Sequence, residues 1–208
     1  RKFSENRIWG GRTFFADGSL NPGSCWGPFS VRSEVFAAFG LRALFPKSSF
    51  FHPRGYGKWN RDTIREVGVV TGCFLLIKRI DWELLCGFDP EFFMYGEEAD
   101  LCMRGKKLGM KPILTPDARI IHHGGASEKV PEDKMVRLLD GNIRLFRRHF
   151  SKSQFKVIFL ALCLGIVMRG NILRIPNWLR LRSGDNDWGR VWRRRGEWAS
   201  GRRAPSAG

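Results

Sequence analysis

Twelve apolar residues in a row, Val157 to Met168, restrict what this chain can fold into. Water must be kept off such a run, yet a bilayer-spanning helix needs about 20 residues. The run therefore reads as a helix that is buried or lies at an interface. Beyond Met168 stand ten arginines against Asp185, Asp187 and Glu197, a local excess of +7. Trp178, Trp188, Trp192 and Trp198 lie among them. Arginine and tryptophan beside an apolar helix suit the headgroup zone of an anionic membrane surface. Residues 151–182 thus read as an apolar, amphipathic interfacial helix, and residues 183–208 as a basic flexible tail. Residues 1–150 carry the globular part.

Charge narrows the partners without choosing one. The formal net charge is +16, which favours nucleic acid, an acidic membrane surface or a phosphorylated substrate. Hydrophobic residues make up 43% of the chain, enough to bury a core. The five cysteines, Cys25, Cys73, Cys86, Cys102 and Cys163, are odd in number and form no Cys-x-x-Cys pair. This pattern points to neither a disulfide framework nor a zinc site, and so to a reducing compartment.

Periodicity supplies the elements. Asp17-Gly18-Ser19 predicts a turn, and Val35, Phe36, Phe39 and Leu44 predict a short helix over 33–44. Lys47 to Asn60 reads as a loop. Val67 to Lys78 is β-branched and apolar, which predicts a strand, with Gly72 marking a close approach within it. Ile80 to Leu85 suits a helical turn. Glu97 to Leu108 predicts a helix ended by Gly109. Lys111–Leu114 and Ala118–His122 predict two short strands around Thr115-Pro116-Asp117. Pro131 to Phe150 is the strongest helical pattern, with Pro131 in its first turn and Met135, Leu138, Leu139, Leu145, Phe146 and Phe150 on one stripe.

Two segments carry candidate chemistry. In Phe92-Phe93-Met94-Tyr95-Gly96-Glu97-Glu98-Ala99-Asp100, three carboxylates open a helix directly after an aromatic loop. Acidic residues there stabilise the helix dipole, and Asp100 can pair with Arg104 one turn on. Carboxylates crowded against apolar rings also acquire raised pKa values and can take a proton from a hydroxyl. Glu97 and Glu98 sit about 100° apart around the helix, so at most one serves as base. The second segment, Ala118 to Ser127, ends an apolar strand with His122-His123-Gly124-Gly125. Histidine at a strand end is a common metal ligand and as commonly structural.

The ordered set of motifs resembles a known family. It comprises Asp17-Gly18-Ser19-Leu20, Val70-Thr71-Gly72-Cys73-Phe74-Leu75-Leu76-Ile77-Lys78-Arg79, and Cys86-Gly87-Phe88-Asp89-Pro90-Glu91-Phe92-Phe93. Glu97-Glu98-Ala99-Asp100-Leu101-Cys102-Met103-Arg104, Gly109 and His122 to Ser127 follow. This is similar to the C-terminal part of family 2 glycosyltransferases of the rhamnosyltransferase-like, cell-surface type, over about residues 14–150. The resemblance implies an α/β, Rossmann-like GT-A fold. It also implies inverting transfer from a nucleoside-diphosphate sugar with a divalent cation, Mn²⁺ or Mg²⁺. The implied catalytic residues are Glu98 as base, with Glu97 and Asp100. The implied substrate-binding residues are Gly72, Cys73, Asp89 and Arg104, and the implied metal ligand is His122. Glu98 stands where the family more often has Asp, one methylene shorter.

One departure stands out. The family's donor site uses an N-terminal βαβ region and an Asp-x-Asp motif. Here the only Asp-x-Asp is Asp185-Asn186-Asp187, in the basic tail. The expectation is a GT-A fold lacking its N-terminal nucleotide-binding half, through truncation or division between two chains. The expected acceptor is a glycan or lipid-linked hydroxyl, met at the cytoplasmic face of an anionic membrane. A non-catalytic remnant of that fold is one alternative. A basic nucleic-acid-binding protein is another, though no recognised nucleic-acid motif supports it.

Overall fold

β1 (Ile8–Phe14) runs through Gly10 and Gly11, which interrupt any alternation of side chains. A Cβ at Gly10 would overlap Val70, and one at Gly11 would overlap Phe74, so the strand is glycine-bearing because other segments press against it. The computed structural model describes residues 5–123, 130–172 and 188–201. β1 is one of the two inner strands of a mixed four-stranded sheet. It pairs in parallel with β6 (Pro112–Ile121) and antiparallel with β5 (Leu75–Ile77). β6 in turn pairs with β3 (Arg65–Glu66). A separate two-stranded ribbon joins β2 (Cys25–Trp26) to β4 (Val69–Val70). The mixed α/β architecture is compatible with a Rossmann-like fold.

The expected Asp17-Gly18-Ser19 turn forms, and Phe14 and Leu20 bridge across it. The expected strand over 67–78 does not run through. It divides into β4 and β5, which lie in different sheets, around a 3₁₀ turn at Gly72–Phe74. The two strands expected at 111–122 are instead one. Gly11 pairs with Thr115 and Arg12 with Arg119, so the expected turn survives as a bulge within β6.

Helices cover the sheet. α1 (Val31–Ala38) starts from a capping box between Ser30 and Ser33. Gly40, at φ 76°, separates it from α2 (Leu41–Leu44), so the expected 33–44 helix is two pieces. α3 (Arg79–Leu84) takes the place of the expected helical turn. α4 (Glu97–Lys107) carries acids in its first turn and Arg104, Lys106 and Lys107 in its last, complementing the dipole at both ends. α5 (Pro131–His149) has Pro131 at its start and Arg147, Arg148 and His149 at its end. Leu101, Cys102, Leu114, Leu145, Phe146 and Val70 meet in the main core.

The C-terminal region differs from expectation. α6 (Lys152–Ile172) is 21 residues long, well beyond the twelve-residue apolar run. Its stretch Lys152–Gly170 has the length and composition of a membrane span, yet 22% of it is buried within the fold. Ile158, Ala161 and Ile166 face the protein. The basic tail is not wholly a solvated extension. α7 (Trp188–Arg193) and α8 (Arg195–Trp198) fold back onto α5 and α6. Trp198 is fully buried there and donates its Nε1 to the Val191 carbonyl at 3.0 Å. Arg194 joins them to Asp133 and Glu197, and Arg190 to Glu132. Arg174, Trp178, Arg180, Arg182 and Asp185 to Asp187 lie outside the described residues, as do Gly124 to Ser127.

Candidate active site

The loop before α4 aims two carboxylates inward. Tyr95 (φ 68°) and Gly96 (φ 99°) both take left-handed backbone, a costly state for a bulky residue such as tyrosine. The Tyr95 carbonyl is seated against Gly141 of α5, where any side chain would overlap it. Helix α4 begins at the next residue, Glu97.

Glu98 is half-buried, and its Oε2 is shielded from water with no hydrogen-bond partner among the described residues. Burial pushes its pKa up to about 7, and the charge of Glu97 adds to the rise. Backbone hydrogen bonds at Glu98, Gly96 and Ala99 oppose it. A carboxylate poised near neutrality can both hold and release a proton at working pH. Gly72 faces it, since a Cβ there would stand 3.7 Å from the Glu98 Cβ. Cys73 is close by. Its thiol is raised from the ordinary value by desolvation first, with the Glu98 charge contributing.

Glu98 lines a cleft of about 540 Å³, within the range of ligand sites. Tyr95, Gly96, Trp26 and Phe29 wall it beside Glu98, and Met135, Leu138 and Asn142 of α5 close another side. Arg54 lies 3.6 Å from the Phe29 ring centroid and donates to Glu34 at 3.3 Å. Glu34 also accepts from Ser33 Oγ at 2.9 Å. A smaller groove of about 290 Å³, at Lys106 to Pro112, sits at the opposite end of α4 and holds none of these groups.

The remaining expected site residues go elsewhere. Asp100 is fully buried. It accepts from Arg104 at 2.6 Å, pairs with His149 at 2.7 Å and lies 3.4 Å from Arg148. Burial alone would raise its pKa, but His149, Arg104 and Arg148 hold it below the ordinary value. Arg104 also donates to the carbonyls of Leu85 and Gly87. Asp89 pairs with Arg148 and accepts the Glu91 N–H. Asp100, Arg104 and Asp89 therefore belong to one network that ties α4 to α5 and to the loop after α3, away from the cleft. The i,i+4 pair foreseen between Asp100 and Arg104 is present.

His122 follows β6 and donates its backbone N–H to Phe14 at 2.8 Å. It is not a cleft residue. Among the described residues, no three His, Cys, Asp or Glu side chains gather closely enough to hold a cation. The described residues therefore do not by themselves make a cation site.

Glu34, Arg42, His52 and Arg54 of the cleft escaped the sequence reading, and Arg169, read there only as an arginine after the apolar run, joins them. The first four come from α1, α2 and the loop after it, and Arg169 from α6 more than 100 residues further on, and none stands in a spacing that signals chemistry.

No protein-family model matches the chain. Curated proteins do. An N-acetylglucosaminyl-diphospho-decaprenol L-rhamnosyltransferase of Mycobacterium tuberculosis is 31% identical over 108 residues, 51% of this chain and 34% of that protein. Rhamnosyltransferase WbbL of Escherichia coli is 31% identical over 98 residues, 46% of this chain and 33% of that protein. The O-antigen biosynthesis protein RfbC of Myxococcus xanthus is 30% identical over 90 residues, 42% of this chain and 7% of that protein. The chain spans about a third of the length of the first two. About half of it is thus similar to rhamnosyltransferases, in agreement with the resemblance carried by the motifs.

Proposed function

We propose that this chain is the acceptor-side part of an inverting glycosyltransferase of family 2, with a GT-A fold. In this reading Glu98 removes the proton from an acceptor hydroxyl. The freed oxygen attacks the anomeric carbon of a nucleoside-diphosphate sugar, and the diphosphate departs from the opposite face. The observation that carries the reading is Glu98 itself, a desolvated carboxyl with a pKa of about 7 at a ligand-sized cleft. The similarity to rhamnosyltransferases supports the reaction class.

Glu97 is assigned the role of raising Glu98 by its charge. Gly72 keeps the space beside the base open. We assign Asp100, Arg104 and Asp89 to positioning α4. A divalent cation remains part of the proposal, with His122 as a ligand from this chain. The acceptor is a glycan or lipid-linked hydroxyl, reached from the cytoplasmic face of the membrane.

The test is sugar transfer by membranes from cells expressing the protein, using a panel of nucleoside-diphosphate sugars and a prenyl-diphosphate-linked sugar acceptor. Glu98→Gln removes the proton acceptor with little change in volume, so kcat is expected to fall by at least ~10². Glu97→Gln is expected to do less. The reverse order would make Glu97 the base, and unchanged rates in both would remove the catalytic reading.

A further inference from the structure

One stretch of surface has a composition that water does not favour. Residues 42–47, Arg-Ala-Leu-Phe-Pro-Lys, are exposed without a break. Four apolar residues are thus held out in solvent between two cations. Leu44, the last residue of α2, is 61% exposed, and Phe45 is exposed beside it.

This tip has a fixed seat. Phe45 stacks on Phe51 at 4.7 Å between ring centroids, and Phe51 meets Phe50 and Phe36 at 5.0 and 5.5 Å. The four rings pack on one another and belong to neither buried core. Phe50 is itself 55% exposed, with the Arg32 guanidinium 5.3 Å from its ring centroid. A preformed aromatic cluster held open to solvent marks a contact surface.

Charge identifies what it contacts. Between residues 35 and 61 stand Arg42, Lys47, Arg54, Lys58 and Arg61, and no carboxylate. Arg32, Arg42 and Lys47 are exposed around the apolar tip. An anionic bilayer supplies both complements in one surface, headgroup phosphates for the cations and the acyl boundary for Leu44 and Phe45.

The tip is also the rim of the site. Gly40, Arg42 and Ala43 line the cleft beside Glu98, and Leu44 and Phe45 follow directly. On its other side α1 ends at Ala38, whose carbonyl is seated against Gly165 of α6. Leu164 and Met168, on the exposed apolar face of α6, flank that contact.

We propose that residues 42–47 dock the protein on an anionic phospholipid surface. Leu44 and Phe45 enter the interface, Arg42 and Lys47 meet the headgroups, and the rim of the Glu98 cleft rests at the lipid surface. This rests on the membrane location in the reading above and not on its catalytic assignment.

The test is co-sedimentation of the full chain with vesicles of phosphatidylcholine alone or mixed with phosphatidylglycerol. At low salt the mixed vesicles are expected to bind at least ~10-fold more tightly. Leu44→Asn leaves the ring cluster intact and is expected to weaken that binding about tenfold. Lys47→Gln is expected to weaken it about fivefold and to lessen its dependence on salt. Both residues are exposed, so neither change is expected to move the Tm. Ile80→Asn, on α3, alters a side chain that is 70% exposed and is expected to bind as the wild type does. The proposal is overturned if Leu44→Asn binds as the wild type does, if Ile80→Asn weakens binding equally, or if neutral vesicles bind as tightly. It is also overturned if the wild type is a dimer that Leu44→Asn converts to a monomer without change in vesicle binding, since a second copy then covers the tip. Glu98→Gln is expected to bind vesicles normally. Loss of transfer in that variant reads the catalytic assignment, and vesicle binding by Leu44→Asn reads this one.

Discussion

At the residue scale, Glu98 is where structure and chemistry meet. In the proposed reaction the ionised form is the base, so kcat/KM is expected to rise through an inflection near pH 7, the value burial and Glu97 impose. Glu97→Gln removes one of those two causes, and the inflection is expected to move to lower pH. An inflection that stays in place would show that burial alone sets it. The same shift governs stability. A carboxyl whose folded pKa lies above its ordinary 4.5 stabilises the fold while protonated, and that contribution is lost as pH rises toward 7. Relative to Glu98→Gln, the wild-type Tm is therefore expected to fall between pH 5 and pH 8, by an amount corresponding to roughly 3 kcal/mol. Parallel pH profiles of the two melting temperatures would contradict the raised pKa.

At the scale of elements, α4 is held by charge as well as by packing. Asp100 is fully buried under Arg104, Arg148 and His149, and removing one partner of such a network leaves the others uncompensated. Asp100→Asn is expected to destabilise the protein by ~3–5 kcal/mol in denaturant titration at neutral pH. The lowered Asp100 pKa supplies stability above its ordinary 3.8 that is lost as pH falls through the folded value. The gap between wild type and variant should accordingly narrow in acid. A variant as stable as the wild type at pH 7 would return Asp100 to candidacy as a site residue. The ends of α4 and α5 were legible in sequence because proline, acids and basic residues stand at the positions that helix termini favour. The division of 67–78 was not. Its β-branched run satisfies a strand pattern throughout, and only the approach of Phe74 to Gly11 requires the turn at Gly72.

At the scale of the whole molecule, α6 has two faces. Ile158, Ala161 and Ile166 are buried, while Val157, Leu160, Leu164 and Met168 are exposed. An exposed apolar stripe on a chain of net charge +16 suits the surface of an anionic membrane. We expect salt-sensitive co-sedimentation with phosphatidylglycerol vesicles, weakened strongly by replacing Leu160 and Leu164 together with lysine. Unchanged sedimentation of that double variant, or equal binding to neutral vesicles at low salt, would exclude this face as the contact. The tryptophans of the basic tail are less available for such a role than their sequence position implies, because Trp198 is fully buried and Trp188 and Trp192 pack beside it.

The sequence by itself determined α4 and its acidic first turn, the amphipathic α5 and the presence of an apolar helix near the C-terminus. Each follows from local rules, helix period and end preferences, which act over a few residues. It also carried, in motif order, the resemblance that the comparisons support for about half the chain. Only the tertiary structure decided which carboxylate faces a cleft and which is consumed in an ion-pair network. Glu98 and Asp100 are two residues apart, and what separates their roles is desolvation beside Glu97 for one and three cationic or imidazole partners for the other. Two of those partners, Arg148 and His149, are brought in by α5, as Arg42 and Arg169 of the cleft are by α2 and α6. Their contribution depends on distances through space that no spacing along the chain records.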